Sequence, residues 1–124
     1  MGVFKVKAKI WNPFNPQNKV EVNLIVDTGA TYTVIPSKLL RKLNVKPTRK
    51  ITVRLADNRV SIKPLGEIGI EIQGYKATAT PVIFGEENIY LLGSVTMEQL
   101  SLTPDPIHKK LKPTEALLMK NKIP

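Results

Sequence analysis

Apolar residues recur at every second position in one short run after another, a pattern that leaves little room for anything but β-structure. Phe4, Val6, Ala8 and Ile10 alternate with Lys5, Lys7 and Lys9. After the Pro- and Asn-rich stretch WNPFNPQN, Val20, Val22, Leu24 and Val26 resume the alternation. A strand sends successive side chains to opposite faces, so the first 26 residues predict a hairpin of two half-buried strands. Ile51, Val53 and Leu55 repeat the pattern, Asp57-Asn58 marks a turn, and Val60 and Ile62 lie on the return arm. Pro64 to Gly66 are expected to break the chain. Ile68, Ile70 and Ile72 predict another strand turning at Gly74, Tyr75 to Phe84 a Thr- and Ala-rich one, and Ile89 to Leu92 a short one bounded by Gly93. Helical spacing occurs twice. Pro36 and Ser37 open a segment with Leu39, Leu40 and Leu43 on one face, ending near Asn44, and Ser94 stands where it could cap a helix over VTMEQL. Six or seven short strands and two short helices describe a mainly β domain.

With 124 residues the chain suits one domain with one core and is too short for two lobes. No apolar run approaches the roughly 18 residues of a membrane span. Lys5, Lys7 and Lys9 interrupt the place where a signal sequence would be apolar, so a cytoplasmic protein with no membrane partner is expected. The absence of cysteine removes disulfides, thiolate zinc sites and cysteine nucleophiles. A net charge of +9 raises nucleic acid as a partner. The positive charge alternates along the first strand and is otherwise dispersed, apart from a basic tail, and no helix-turn-helix, zinc-finger or RNA-recognition aromatic pattern is present; both points argue against nucleic acid. His108, in the Lys-rich tail without a second ligand nearby, is a surface residue on this reading, and no metal site is expected. Glu86 and Glu87 belong to a solvated turn. Trp11 and Phe14 are expected to pack the N-terminal loop against the core or a partner.

The sharpest local feature is Leu24-Ile25-Val26-Asp27-Thr28-Gly29-Ala30. A carboxylate placed directly after an apolar strand, on a turn, is held at the edge of the core. Thr28 offers a short hydroxyl that can lock the turn, and Gly29 allows close backbone approach. Some sixty residues later Ile89-Tyr90-Leu91-Leu92-Gly93 repeats the arrangement of apolar strand and glycine turn, with the Arg54–Arg59 hairpin between the two.

In order and spacing, LIVDTGATYTVIP, GYKATATPVIFG and IYLLGSVTMEQL resemble the single-domain retropepsin-like aspartic proteases of the non-retroviral, prokaryotic and archaeal type. The resemblance implies a closed β-barrel acid-protease fold with one or two short helices over residues 3–102. Residues 103–124 are then a basic C-terminal extension, with Ala116-Leu117-Leu118-Met119 at a dimer interface. It also implies a homodimer in which each subunit contributes one Asp to a shared water, with no cofactor and no metal. Asp27 is then the catalytic carboxylate, supported by Thr28 across the two-fold axis and by Gly29. Ile25, Ala30, Val34, Ile89 and Leu91 would contact a peptide or unfolded-protein substrate, and Ala56, Asp57 and Asn58 would form the tip of a flap spanning Arg54 to Lys63. The sequence departs from the retroviral pattern at Thr31 and Ser94, where an Asp and an Arg are usual, and at a flap tip without glycine. Two other functions follow from particular features: a catalytically inactive peptide-binding module on the same fold, from the two departures, and a nucleic-acid-binding β domain, from the net charge.

Overall fold

The computed structural model describes residues 3–116. In chain order its elements are β1 (Lys5–Trp11), β2 (Val20–Val26), β3 (Thr33–Pro36), α1 (Ser37–Lys42), β4 (Arg49–Arg54), β5 (Val60–Ile72), β6 (Tyr75–Gly85), β7 (Leu91–Leu92), α2 (Ser94–Gln99), β8 (Leu102–Asp105) and β9 (Lys110–Pro113). The fold is mainly β, as the alternation predicts. β1 and β2 pair antiparallel with Val6 opposite Leu24 and Ala8 opposite Val22, so both strands turn their apolar sides to one core. Among the described residues one sheet runs in the order β1-β2-β7-β3-β6-β5-β4, and β1 also pairs with β5, so the sheet curls back toward its first strand. β8 and β9 form a separate antiparallel pair.

The core gathers Ile10 and Leu24 from the hairpin, Ile35 and Leu40 around α1, Ile68, Ile70 and Ile72 from β5, and Val82 and Leu92. Each is essentially fully buried, a contribution of about 1.5–3 kcal/mol per side chain. Met97 of α2 and Leu100 just after it, together with Leu102 and Leu111 of the β8–β9 pair, join the same cluster. Trp11 is buried with them, its indole lying across Gly69, where a β-carbon would come within 2.1 Å of Nε1. Lys19 stacks its ammonium 4.6 Å from the ring centroid. Phe14 does not pack against the core: it is 96% exposed. No helix among the described residues is long and apolar enough to cross a membrane.

Four local expectations need correction. β5 runs unbroken through Pro64, because there the strand passes from its β4 partner to β6, and a missing N–H is tolerated at such a handover. Ser94 is the first residue of α2 and not its cap; Gly93 holds that place, in an extended conformation. β3 was not anticipated, since four residues with partners about fifty positions away in β6 leave no local signature. β8 was missed because Pro104 reads as a breaker, yet among the described residues the strand pairs only with β9 and has a free edge. The tail segment expected at an interface lies outside the described residues except for Ala116.

Candidate active site

β2 delivers Asp27, and β7 holds it there. The two strands run parallel, with Ile25 N–H donating to the Tyr90 carbonyl at 2.9 Å and Asp27 N–H to the Leu92 carbonyl at 3.2 Å. From the other side Val26 N–H donates to the Phe4 carbonyl. The chain then turns. Ala30 N–H bonds back to the Asp27 carbonyl at 3.1 Å, and Gly29 N–H donates to the carboxylate Oδ1 at 2.9 Å. This is an Asx turn in which the side chain is oriented by its own backbone. Asp27 is half-buried, Thr28 and Gly29 are exposed, and Oδ2 has no hydrogen-bond partner among the described residues. Thr28 does not lock the turn within the single chain; the carboxylate itself does.

The two glycine turns touch. Ser94 N–H donates to the Ala30 carbonyl at 2.8 Å and Val95 N–H to the Thr31 carbonyl at 3.0 Å, so the loop after Asp27 supplies acceptors for the first amides of α2. That is why α2 needs no side-chain cap, and why the loop through Thr31 stays tied to the start of α2 although neither Thr31 nor Ser94 carries a charge. Gly93 lies so close to the loop that a β-carbon there would sit 2.4 Å from the Tyr32 carbonyl carbon.

Beneath the contact lies a feature the sequence reading missed. Thr33, Thr80 and Thr96 are all fully buried and joined by their hydroxyls, Thr33 to Thr96 at 2.6 Å and Thr80 to Thr96 at 2.8 Å. Gly93 N–H donates to the Thr33 hydroxyl at 3.2 Å. One network therefore ties β3, β6 and α2 to the second glycine turn. Its signal in the sequence is Thr standing where the alternation calls for an apolar residue, two places before Ile35 and two before Val82.

Several of the candidate substrate residues are neighbours by register. Ile25 lies opposite Leu91, Leu91 opposite Val34, and Val34 opposite Ile83, giving a row of half-buried apolar side chains across four strands. Directly opposed residues share a face, and Asp27 follows Ile25 by two, so the carboxylate emerges on the side of this row. Ile83 was not foreseen. Ile89, 40% exposed, precedes Leu91 by two, and Ala30 sits in the turn. Ala56, Asp57 and Asn58 stand apart, at the exposed tip of the β4–β5 hairpin. Among the described residues nothing there is hydrogen-bonded to the Asp27 turn. The tip is braced by Asp57, which accepts from Arg59 N–H and pairs with its guanidinium, and by Arg54 donating to the Asn58 carbonyl.

A carboxylate with one oxygen fixed and the other free, on a surface turn beside an apolar strip, can orient a water and take a proton from it. Alone it cannot also protonate the group that the water attacks. The family model described as gag-polyprotein putative aspartyl protease matches residues 17–99, a span holding both glycine turns, the hairpin and all three buried threonines. The chain belongs to this retropepsin-like family. No curated protein matches it.

Proposed function

We propose that this chain is an aspartic endopeptidase that works as a homodimer, with the two Asp27 carboxylates meeting around one water. The observation that carries this reading is the Asp27 turn: one oxygen pinned by Gly29 N–H, the other free, beside the row Ile25, Leu91 and Val34. Two carboxylates in contact cannot both ionise, so aspartic-protease pairs share a proton. The ionised member removes a proton from the water as its oxygen bonds to the peptide carbonyl carbon. The protonated member donates to the carbonyl oxygen. Collapse of the tetrahedral adduct breaks the C–N bond, the amine leaves with a proton, and no acyl-enzyme forms.

Other residues take their parts from position. The Thr28 hydroxyl, which has no hydrogen-bond partner among the described residues, bonds the partner's turn. The Gly29 carbonyl meets an extended substrate held as an added strand. Ile25, Ala30, Val34, Ile89 and Leu91 receive its side chains, and the β4–β5 hairpin closes over it with Ala56, Asp57 and Asn58 leading. The substrate is a peptide or an unfolded protein, and the setting is cytoplasmic.

The test is Asp27→Asn, assayed on an unfolded protein at mildly acid pH alongside sedimentation of the dimer. Cleavage should fall by at least about 10²–10⁴-fold, the range expected for loss of an acid–base group, with dimerisation retained. Cleavage that survives the substitution overturns the proposal. Saturable peptide binding by the unsubstituted chain without turnover, indifferent to a statine-type inhibitor, assigns the fold to a binding module instead.

A further inference from the structure

Among the described residues, one edge of β1 is paired along its length and the other only in part. On one side it pairs with β2 from Lys5 to Ile10, and on the other with β5 only from Lys9 to Trp11. The second ladder stops because β5 turns away at Gln73 and Gly74, both with positive φ, just where they would lie opposite Lys7 and Val6. Over Lys5–Ala8 that edge opens into a groove of about 500 Å³, which Lys109 and Lys110 also line, together with Glu21, Glu71 and the buried Ile72. An unpaired strand edge is a template for another strand.

Charge decides which strand. Lys5, Lys7 and Lys9 project from the exposed side of β1, and among the described residues neither they nor Lys109 and Lys110 take part in an ion pair. Lys9 is flanked in register by Glu21 and Glu71, and Lys110 faces Asp105 in the β8–β9 ladder, which leaves Lys5 and Lys7 with no acidic residue directly opposite them and Lys109 outside the ladders. A second copy of β1 would set lysine against lysine, the usual protection of an edge against self-pairing. A strand with acidic residues opposite Lys5 and Lys7 meets the reverse situation. Val6 and Ala8 face inward, so the residues opposite them would be apolar.

We propose that the free edge of β1 over Lys5–Ala8 docks an extended segment of a partner protein whose side chains alternate acidic and apolar, added as a strand along β1 in the groove that Lys109 and Lys110 also line. This surface is separate from the Asp27 turn, and the proposal stands whether or not the chain cleaves peptides.

The experiment is fluorescence anisotropy of a labelled Glu-Val-Glu-Val-Glu-Val peptide with the full chain carrying Asp27→Asn, so that hydrolysis cannot intervene. Saturable binding is expected, weakening as salt rises. K5E/K7E and K109E/K110E should each weaken it at least tenfold, and so should N-methylation of the peptide along one hydrogen-bonding edge. All four lysines are exposed, so thermal melting should show both variants folded; if one fails to fold, the other carries the test. Affinity unchanged by charge reversal or by N-methylation overturns strand addition at this edge. So does tighter binding of oligouridylate at the same lysines, or a change of oligomeric state in K5E/K7E without any peptide binding.

Discussion

A single added carbon at Gly93 would sit 2.4 Å from the Tyr32 carbonyl carbon and 2.8 Å from the Thr31 carbonyl oxygen. Both obstacles are backbone, which cannot rotate aside as a side chain can. Gly93→Ala should therefore push the second glycine turn off the loop that follows Asp27. The expected cost is about 1–3 kcal/mol in urea unfolding, with a larger fractional loss of any Asp27-dependent activity than of stability. Thr96 is the middle member of the buried hydroxyl chain, and Thr96→Val leaves Thr33 and Thr80 without the partner they share. A loss of about 1–3 kcal/mol is expected, and Thr96→Ser, which keeps the hydroxyl, should recover most of it. Far from the site, Asp105 accepts from both the ring and the backbone of His108, and these bonds hold its carboxyl below the usual carboxylate range. A depressed folded value means that the stabilisation is present above the ordinary value near 3.8 and disappears as pH falls through the folded one. The protection of the His108 amide, measured against its intrinsic exchange rate at each pH, should fall in that acid window, and Asp105→Asn should remove that fall.

The β4–β5 hairpin is the element whose role is most open to measurement. Val60 and Ile62 are exposed on it, and its tip is held by the Asp57–Arg59 pair. That pair lies at the surface, so Asp57→Ala should change stability by less than about 1 kcal/mol. If the hairpin closes over bound peptide, the same substitution should raise KM several-fold with a smaller effect on kcat; unchanged KM and kcat would remove the hairpin from the reaction. Elements differ in how openly the sequence announces them. β1, β2 and the hairpin arms were legible because their partners are neighbours and their alternation is strict. β3 and β7 were obscure as pairing partners, because they are held by strands distant in sequence and have too few residues to show a period. The Asp27 turn was legible from an apolar strand running straight into a carboxylate and a glycine. The threonine network under it was not, because Thr suits a buried strand and an exposed one equally until its hydrogen-bond partners are known. Ile83 was hidden in the same way, its place beside Val34 being set by register across two strands.

At the scale of the whole molecule, the chain carries one Asp-Thr-Gly and the chemistry needs two carboxylates. If they meet across a two-fold axis, activity belongs to the dimer and not to the chain. Mixing then gives a sharper test than any single substitution. When wild-type and Asp27→Asn chains are combined in equal amounts and allowed to exchange, random pairing makes about a quarter of the dimers wild-type on both sides. Activity per wild-type chain should fall by about half, and further as the variant is added in excess. A chain acting alone would show no such suppression. A proton shared by such a pair would supply an independent mark of the same state. With both carboxylates ionised no acid remains, and with both protonated no base remains, so kcat/KM should trace a bell on the acid side of neutrality. Its two limbs belong to the pair and not to either residue. Mixed dimers, which hold one Asp27, should not contribute a bell of that form.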